Sequence, residues 1–315
     1  MLNCYYAKLE KEALLHIEGP DALTFLQGQV TCDTRELTAN SALPGLHCTV
    51  QGRVVCDFLL CMAAPDHLLL RMRRDIRTAT ATLFSRYIVF STATLDALRD
   101  DWQVSACWGP QAATALEQVF GTLPRERYAS SSGEGFVLVQ MDEEGQQFEC
   151  YLHSSAAGLK SRLREHTMTG NETIWQAEQI ASGIARIEAG TTGEYVPQSL
   201  NYDLTGHISF TKGCYTGQEV VARLHYRGKS KRRLYLADIN PDALPAGLQI
   251  QAGDPLYGED NSRAIGNIIN WVQCDNGERH LLVTTTEGGV NAPLRLRDNE
   301  GPLLHTSATP YSIPQ

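Results

Sequence analysis

Apolar residues in the first two-thirds of the chain fall into short blocks whose spacing switches between strand and helix. ALLHIEG (13–19) reads as a strand running into a turn. PDALTFLQG (20–28) opens with a proline suited to a first helical position and closes on glycine, which predicts a short helix. LHCTV, RVVCDFLLCMA and HLLLRM follow, separated by Gly52 and Pro65, as adjacent antiparallel strands. RDIRTATATLFSRYI (74–88) has the spacing of an amphipathic helix, and VFSTATL (89–95) that of a strand. A second series has the same flavour. WQVSACWG is a strand and PQAATALEQVF a helix. FVLVQM and FECYLH are strands around Glu143-Glu144-Gly145, and SAAGLKSRLREH is a helix. The rhythm is α+β, without the strict alternation of a doubly wound sheet.

From about residue 233 the pattern changes. LYLADI, LQIQAG, AIGNIINWV, HLLVTTT and LRLRD are short, alternating or β-branched. Between them lie ALPAG, GDPLYGEDNS, CDNGE and EGGVNAP, all rich in turn formers. Evenly spaced strands of this kind predict a small β-barrel or sandwich. The expected division is therefore residues 1–232 and a C-terminal β domain, 233–315.

Composition narrows the class. The chain has 315 residues and a net charge of −9, against a whole-surface nucleic-acid binder. One segment runs the other way: RLHYRGKSKRR (223–233) holds six Lys or Arg and no acid, which suits an anionic neighbour or a solvated basic loop. The longest apolar run, FLLCMAA (58–64), is too short to span a bilayer, and the charged N-terminal stretch does not read as a secretory signal. A cytoplasmic location and no membrane partner are expected. No G-x-G-x-x-G fingerprint or P-loop occurs. Nine cysteines are scattered without a C-x-x-C pair, so no closed zinc site is expected, and most sit in apolar strand-like stretches.

Cys214 stands apart, in SFTKGCYTGQEVVAR (209–223). Thr216-Gly217-Gln218-Glu219 matches a capping box, with Val220, Val221 and Leu224 on one helical face and Gly228 as a stop. That places Cys214 two residues ahead of a helix cap. Free amides, the positive end of the helix dipole, Lys212 and Arg223 would each favour a thiolate there. The alternative reading is a buried cysteine in a tight turn. No histidine adjoins it in sequence; His207 and His225 are nearest.

The twelve residues KGCYTGQEVVAR (212–223) resemble the signature of the YgfZ family of folate-binding, iron–sulfur maturation proteins. FLQGQVTCD (25–33), W-x7-GIARI (175–187), YVPQSLN (195–201) and ISFT (208–211) agree with that family in order and spacing, so the resemblance spans essentially the whole chain. It implies a fold like the glycine-cleavage T-protein, an aminomethyltransferase: two interleaved α+β lobes and a C-terminal β-barrel around a central hole that holds tetrahydrofolate. It also implies assembly or repair of iron–sulfur enzymes as clients, among them a tRNA methylthiotransferase, and hence tRNA modification; direct tRNA binding through residues 223–233 is the least favoured alternative, given the acidic remainder of the chain.

Carried over residue by residue, the resemblance makes Cys214 and Lys212 the chemically active pair. It places Tyr215, Gln218, Glu219 and Arg223 at the folate with Trp175, whose indole would stack on the pterin; the other reading of Trp175 is a core residue of the helix TIWQAEQIA. A second folate-associated tryptophan of some members has no counterpart in KLEKEALL. Arg223 and Arg227 suit the carboxylates of a folate glutamate tail. The alternative activity is a tetrahydrofolate-dependent one-carbon (aminomethyl) transferase. The T-protein pattern there has paired aspartates, of which GRVVCD (52–57) keeps only Asp57. That departure weakens the transferase reading and leaves Asp57 as a folate contact.

Overall fold

Strand β1 (Tyr5–Lys8) is separated by one tight turn from β2 (Glu12–Glu18), yet the two join different sheets. A computed structural model of the chain describes residues 3–240, 244, 248–258, 263–275 and 277–314. By contacts it divides into two compact units. The first comprises Met1–His47, Cys56–Glu172 and Thr211–Tyr215; the second comprises Cys48–Val55, Thr173–Phe210 and Thr216–Gln315.

One five-stranded sheet is built from β2, β3 (Leu43–Cys48), β4 (Val54–Ala64), β5 (His67–Arg73) and β6 (Thr94–Asp96), in the order β3-β4-β5-β2-β6. Its central strands are buried on both faces, so they read as continuous apolar runs. Helices α1 (Ala22–Gln27) and α2 (Arg74–Phe84) fall where the pattern put them, each a few residues shorter. Of VFSTATL only Thr94 and Leu95 are strand; Ile88–Phe90 forms a 3-10 turn whose apolar side chains are not buried.

The other sheet is six-stranded, in the order β11-β1-β7-β10-β9-β8. Its remaining strands are β7 (Trp102–Trp108), β8 (Ser130–Gly133), β9 (Phe136–Gln140), β10 (Gln147–His153) and β11 (Met168–Thr169). Helices α3 (Ala112–Phe120) and α4 (Ala157–Glu165) pack a core of Cys4, Cys107, Leu116, Phe148, Cys150 and Leu163 against it. The N-terminal strand thus belongs with strands formed a hundred residues later, which makes the α+β lobes interleaved. Inside this unit Arg71 of β5 donates to Glu149 of β10 at 2.8 Å, and Tyr151 donates to the same carboxylate at 2.6 Å, all buried.

The second unit carries helices α5 (Glu172–Ala181), all but its first residue, and α6 (Gln218–Arg227), and a closed barrel. The barrel strands are β12 (Arg232–Ile239), β13 (Pro255–Gly258), β14 (Gly266–Gln273), β15 (Arg279–Thr286), β16 (Leu294–Leu296) and β17 (Leu303–Ser307), in the order β12-β15-β14-β13-β16-β17. Two sequence expectations change here. LQIQAG is not a strand, and PLYG, taken for a turn because of its proline and glycine, is β13 with Pro255 as its first residue, where no preceding ladder amide is needed. Most of the expected ALPAG turn, the end of GDPLYGEDNS and Asn276 of CDNGE lie outside the described residues.

The YVPQSLN segment is bonded into this barrel. The Asn201 amide donates to the Leu234 carbonyl, Thr284 donates to the Ser199 carbonyl, and Arg233 pairs with Asp203 at 2.7 Å. Asn201 sits in the left-handed region at φ +57°, which asparagine tolerates better than most residues. Among the described residues no helix is long and apolar enough to cross a membrane.

Candidate functional site

The first unit holds the cysteine loop. Lys212 is 5% exposed, and its ammonium donates to the carbonyls of Gln27, Val30 and Cys32 at 2.8, 2.6 and 2.8 Å. Three protons meet three acceptors, so the charge is solvated by backbone where water is excluded. Those carbonyls belong to FLQGQVTCD, and the motif shapes itself for the task. The Gln27 amide oxygen accepts from Thr34 N and Oγ1, both at 2.8 Å, and its nitrogen donates to Asp33 at 3.0 Å. Asp33 caps the 3-10 turn Thr34–Glu36 and pairs with Arg35, which holds its carboxyl well below the usual range. Burial draws Lys212 down to about 8, with Asp33 among the charges acting the other way. The Tyr215 ring lies 5.3 Å from the ammonium. Sequence reading gave Lys212 a chemical role beside the sulfur; all three of its donors are engaged elsewhere, and its place is that of an anchor.

Two residues on, Cys214 is exposed. Of the other eight cysteines seven are buried, and burial raises Cys32 and Cys56 to about 12. The buried group behaves as the small hydrophobes expected of it. Asp57, on β4, is 2% exposed.

The second unit holds the remaining predicted residues. Helix α6 starts at Gln218, and its N-cap is Gly217, not Thr216. Gly217 has φ +85°, and no side chain caps the helix, so the expected capping box does not form. The reason is a close approach: a Cβ on Gly217 would lie 2.4 Å from the Thr49 carbonyl oxygen. At Gly52, φ +69°, a Cβ would lie 2.8 Å from the Val220 Cβ, so the turn around residues 49–53 rests on this helix through two glycines. Cys214 is consequently three residues ahead of the cap in sequence. Glu219 and Arg223 are exposed, Gln218 half-buried. Trp175, on α5, is 3% exposed, so its indole offers a flat ligand little surface in this conformation.

The basic run divides. Arg233 is paired with Asp203, Arg232 donates to Asn267 and to the Ala264 carbonyl, and Lys229 lies 3.4 Å from Glu287. Arg223, Arg227 and Lys231 are exposed. A cavity of about 510 Å³ within this unit is lined by Arg53, Glu194, Tyr195, Ser199, Lys231 and Arg232 among others. Burial pushes the Tyr195 phenol up to about 12. Sequence reading missed Arg53, Glu194 and Tyr195 as cavity residues; the only available signal was Tyr195 as first residue of the YVPQSLN motif. The volume suits an organic ligand and the cations suit carboxylates.

The fold and the anchored cysteine loop define a class. Residues 9–131 match the GCVT N-terminal domain model. Over 98% of this chain and 86% of the other, the structure superposes with a TM-score of 0.75 on the glycine cleavage system aminomethyltransferase T from Bartonella henselae, at 14% identity, a likeness of fold. The molecule is thus a T-protein-like α+β protein with a C-terminal barrel. The sequence is 32% identical over 311 residues to the tRNA-modifying protein YgfZ of Klebsiella pneumoniae, covering 97% of this chain and 92% of that protein. It is 32% identical over 310 residues, with the same coverage, to the YgfZ of Escherichia coli strain SE11. The chain belongs to the YgfZ family.

Proposed function

We propose that this protein binds a tetrahydrofolate and, through Cys214, supports the maturation or repair of iron–sulfur enzymes, a tRNA methylthiotransferase among them, and so the modification of some tRNAs. The observation that carries the reading is the contrast among the cysteines: seven are buried, Cys274 is partly covered, and Cys214 is exposed on a loop pinned by a buried ammonium. An exposed thiol on a fixed loop suits a redox or transient ligand role shared with a partner, since one thiolate cannot hold a cluster alone. Arg53, Lys231 and Arg232 would meet the folate's carboxylates. When bound, the folate would supply a reduced pterin and a one-carbon carrier. Direct tRNA contact is not required, and the pairing of half the basic run within the fold weakens it.

The test has two arms. Titration calorimetry with tetrahydrofolate on wild type, Trp175→Phe and Arg232→Gln should show binding that Arg232→Gln weakens. Cells carrying Cys214→Ala should lose tRNA methylthiolation at normal protein level. No folate binding, or undiminished methylthiolation, rejects the corresponding half. Turnover of labelled methylenetetrahydrofolate would instead favour the aminomethyltransferase alternative, against which stands the single Asp57 where the transferase pattern has two aspartates.

A further inference from the structure

Away from the cysteine loop, three potential metal ligands converge on one face of the five-stranded sheet. Strand alternation puts His16 and Glu18 of β2 on the same face, and the antiparallel register sets His67 of β5 opposite Glu18 and diagonal to His16. His16 Nδ1 lies 2.9 Å from His67 Nε2, and His67 Nε2 lies 3.3 Å from Glu18 Oε1. One ligand atom from each residue can be chosen so that all three fall within 4.8 Å of one another. Two nitrogens each about 2.0–2.1 Å from a single ion stand about 2.9–3.4 Å apart for angles between 90° and tetrahedral. The observed separation falls in that interval.

We propose that His16, His67 and Glu18 form a binding site for a divalent first-row transition ion of the zinc type. Imidazole and carboxylate donors suit zinc, copper(II) and nickel(II), and three protein ligands leave a position for water. Without an ion, the facing nitrogens must share one proton, and His16 Nε2 is buried with no hydrogen-bond partner among the described residues. An ion takes the place of the shared proton and leaves the rest of the His16 ring as it was. Arg99 fixes Glu18 at 2.6 Å, and its own charge is balanced by Asp101 at 2.8 Å. Asp101 in turn meets His153, and the Trp102 ring packs edge-on against His67. The surroundings thus orient the ligands as a supporting shell does. Cysteine spacing could not reveal this site, because its ligands lie 51 residues apart on two strands.

The test is zinc titration calorimetry on the full chain in a non-chelating reductant, with His67→Asn, Glu18→Gln and Cys214→Ser. One equivalent should bind, unaffected by Cys214→Ser and weakened about tenfold or more by the other two. Cobalt(II) on the wild-type chain provides a readout independent of variant folding. Ligand-field bands without a sulfur charge-transfer band support the site. Absence of binding, a sulfur band, or affinity insensitive to both His67→Asn and Glu18→Gln overturns it.

Discussion

The Lys212 ammonium donates to the Cys32 carbonyl at 2.8 Å across 180 residues of sequence, joining the two most distinctive motifs of the chain inside one unit. The cysteine loop is held by that bond and its two companions to Gln27 and Val30.

Replacing Lys212 by Met keeps the length of the side chain and removes the donor to the buried Val30 and Cys32 carbonyls and to the part-buried carbonyl of Gln27. Each unsatisfied buried group costs about 1–3 kcal/mol, so Lys212→Met should destabilise by roughly 3 kcal/mol or more, read as a lowered urea midpoint. Lys212→Arg should not rescue it, because a planar fork cannot aim at three convergent carbonyls. A variant as stable as wild type would show the anchor to be dispensable.

The same residue gives a pH dependence. Lys212 sits at about 8 in the fold against 10.5 for an ordinary lysine. Between these values the unfolded chain binds the extra proton. The stability this residue contributes therefore rises as pH climbs from about 8 towards 10.5 and is lost as pH falls back through 8. The urea midpoint of wild type relative to Lys212→Met should rise across that interval in reducing buffer. A falling difference contradicts a buried, depressed amine.

Thiol labelling should resolve three classes of cysteine. A small alkylating reagent should modify Cys214 first, the partly covered Cys274 more slowly, and the seven buried cysteines only on unfolding. Peptide mapping after brief exposure checks this. Rapid labelling at Cys32 or Cys56 would mean the core is open.

Gly217→Ala demands a φ of +85° from a residue with a Cβ and drives that atom to 2.4 Å from the Thr49 carbonyl. Backbone strain alone costs about 1–3 kcal/mol, and the clash adds to it. Thermal unfolding should fall well below that of Gly213→Ala, where a Cβ meets nothing within 4 Å among the described residues.

Glu149→Ala removes the acceptor of both Arg71 and Tyr151 in a buried setting. Stripping one partner from a buried ion pair costs about 3–5 kcal/mol. The companion Arg71→Met, Glu149→Met double variant should recover part of that loss, measured by urea denaturation, because the Arg71 charge leaves with its partner; the remainder stays with Glu12, which loses a cation 3.8 Å away, and with the Tyr151 hydroxyl.

Much of the architecture was legible because burial imprints periodicity. β2, β4, β5, β7, β9 and β10 and helices α1 to α4 stand close to where apolar spacing placed them. The weak spots were segments whose composition misleads. PLYG looks like a turn but is closed into a barrel, VFSTATL has the β-branched content of a strand but packs little of it, and SSSG at β8 has no apolar signal at all.

Local spacing was enough for the α+β class and for a β-rich tail, barrel or sandwich, and contiguous motifs were enough for the singular cysteine and the family. It took the folded chain to show that the barrel closes, that Lys212 is spent on backbone carbonyls, that Gly217 caps α6 and that Trp175 is covered. Folding also brought His16, His67 and Glu18 together. Those facts depend on where a second, distant piece of chain supplies an acceptor, a wall or a ligand, and spacing along one segment carries no record of that.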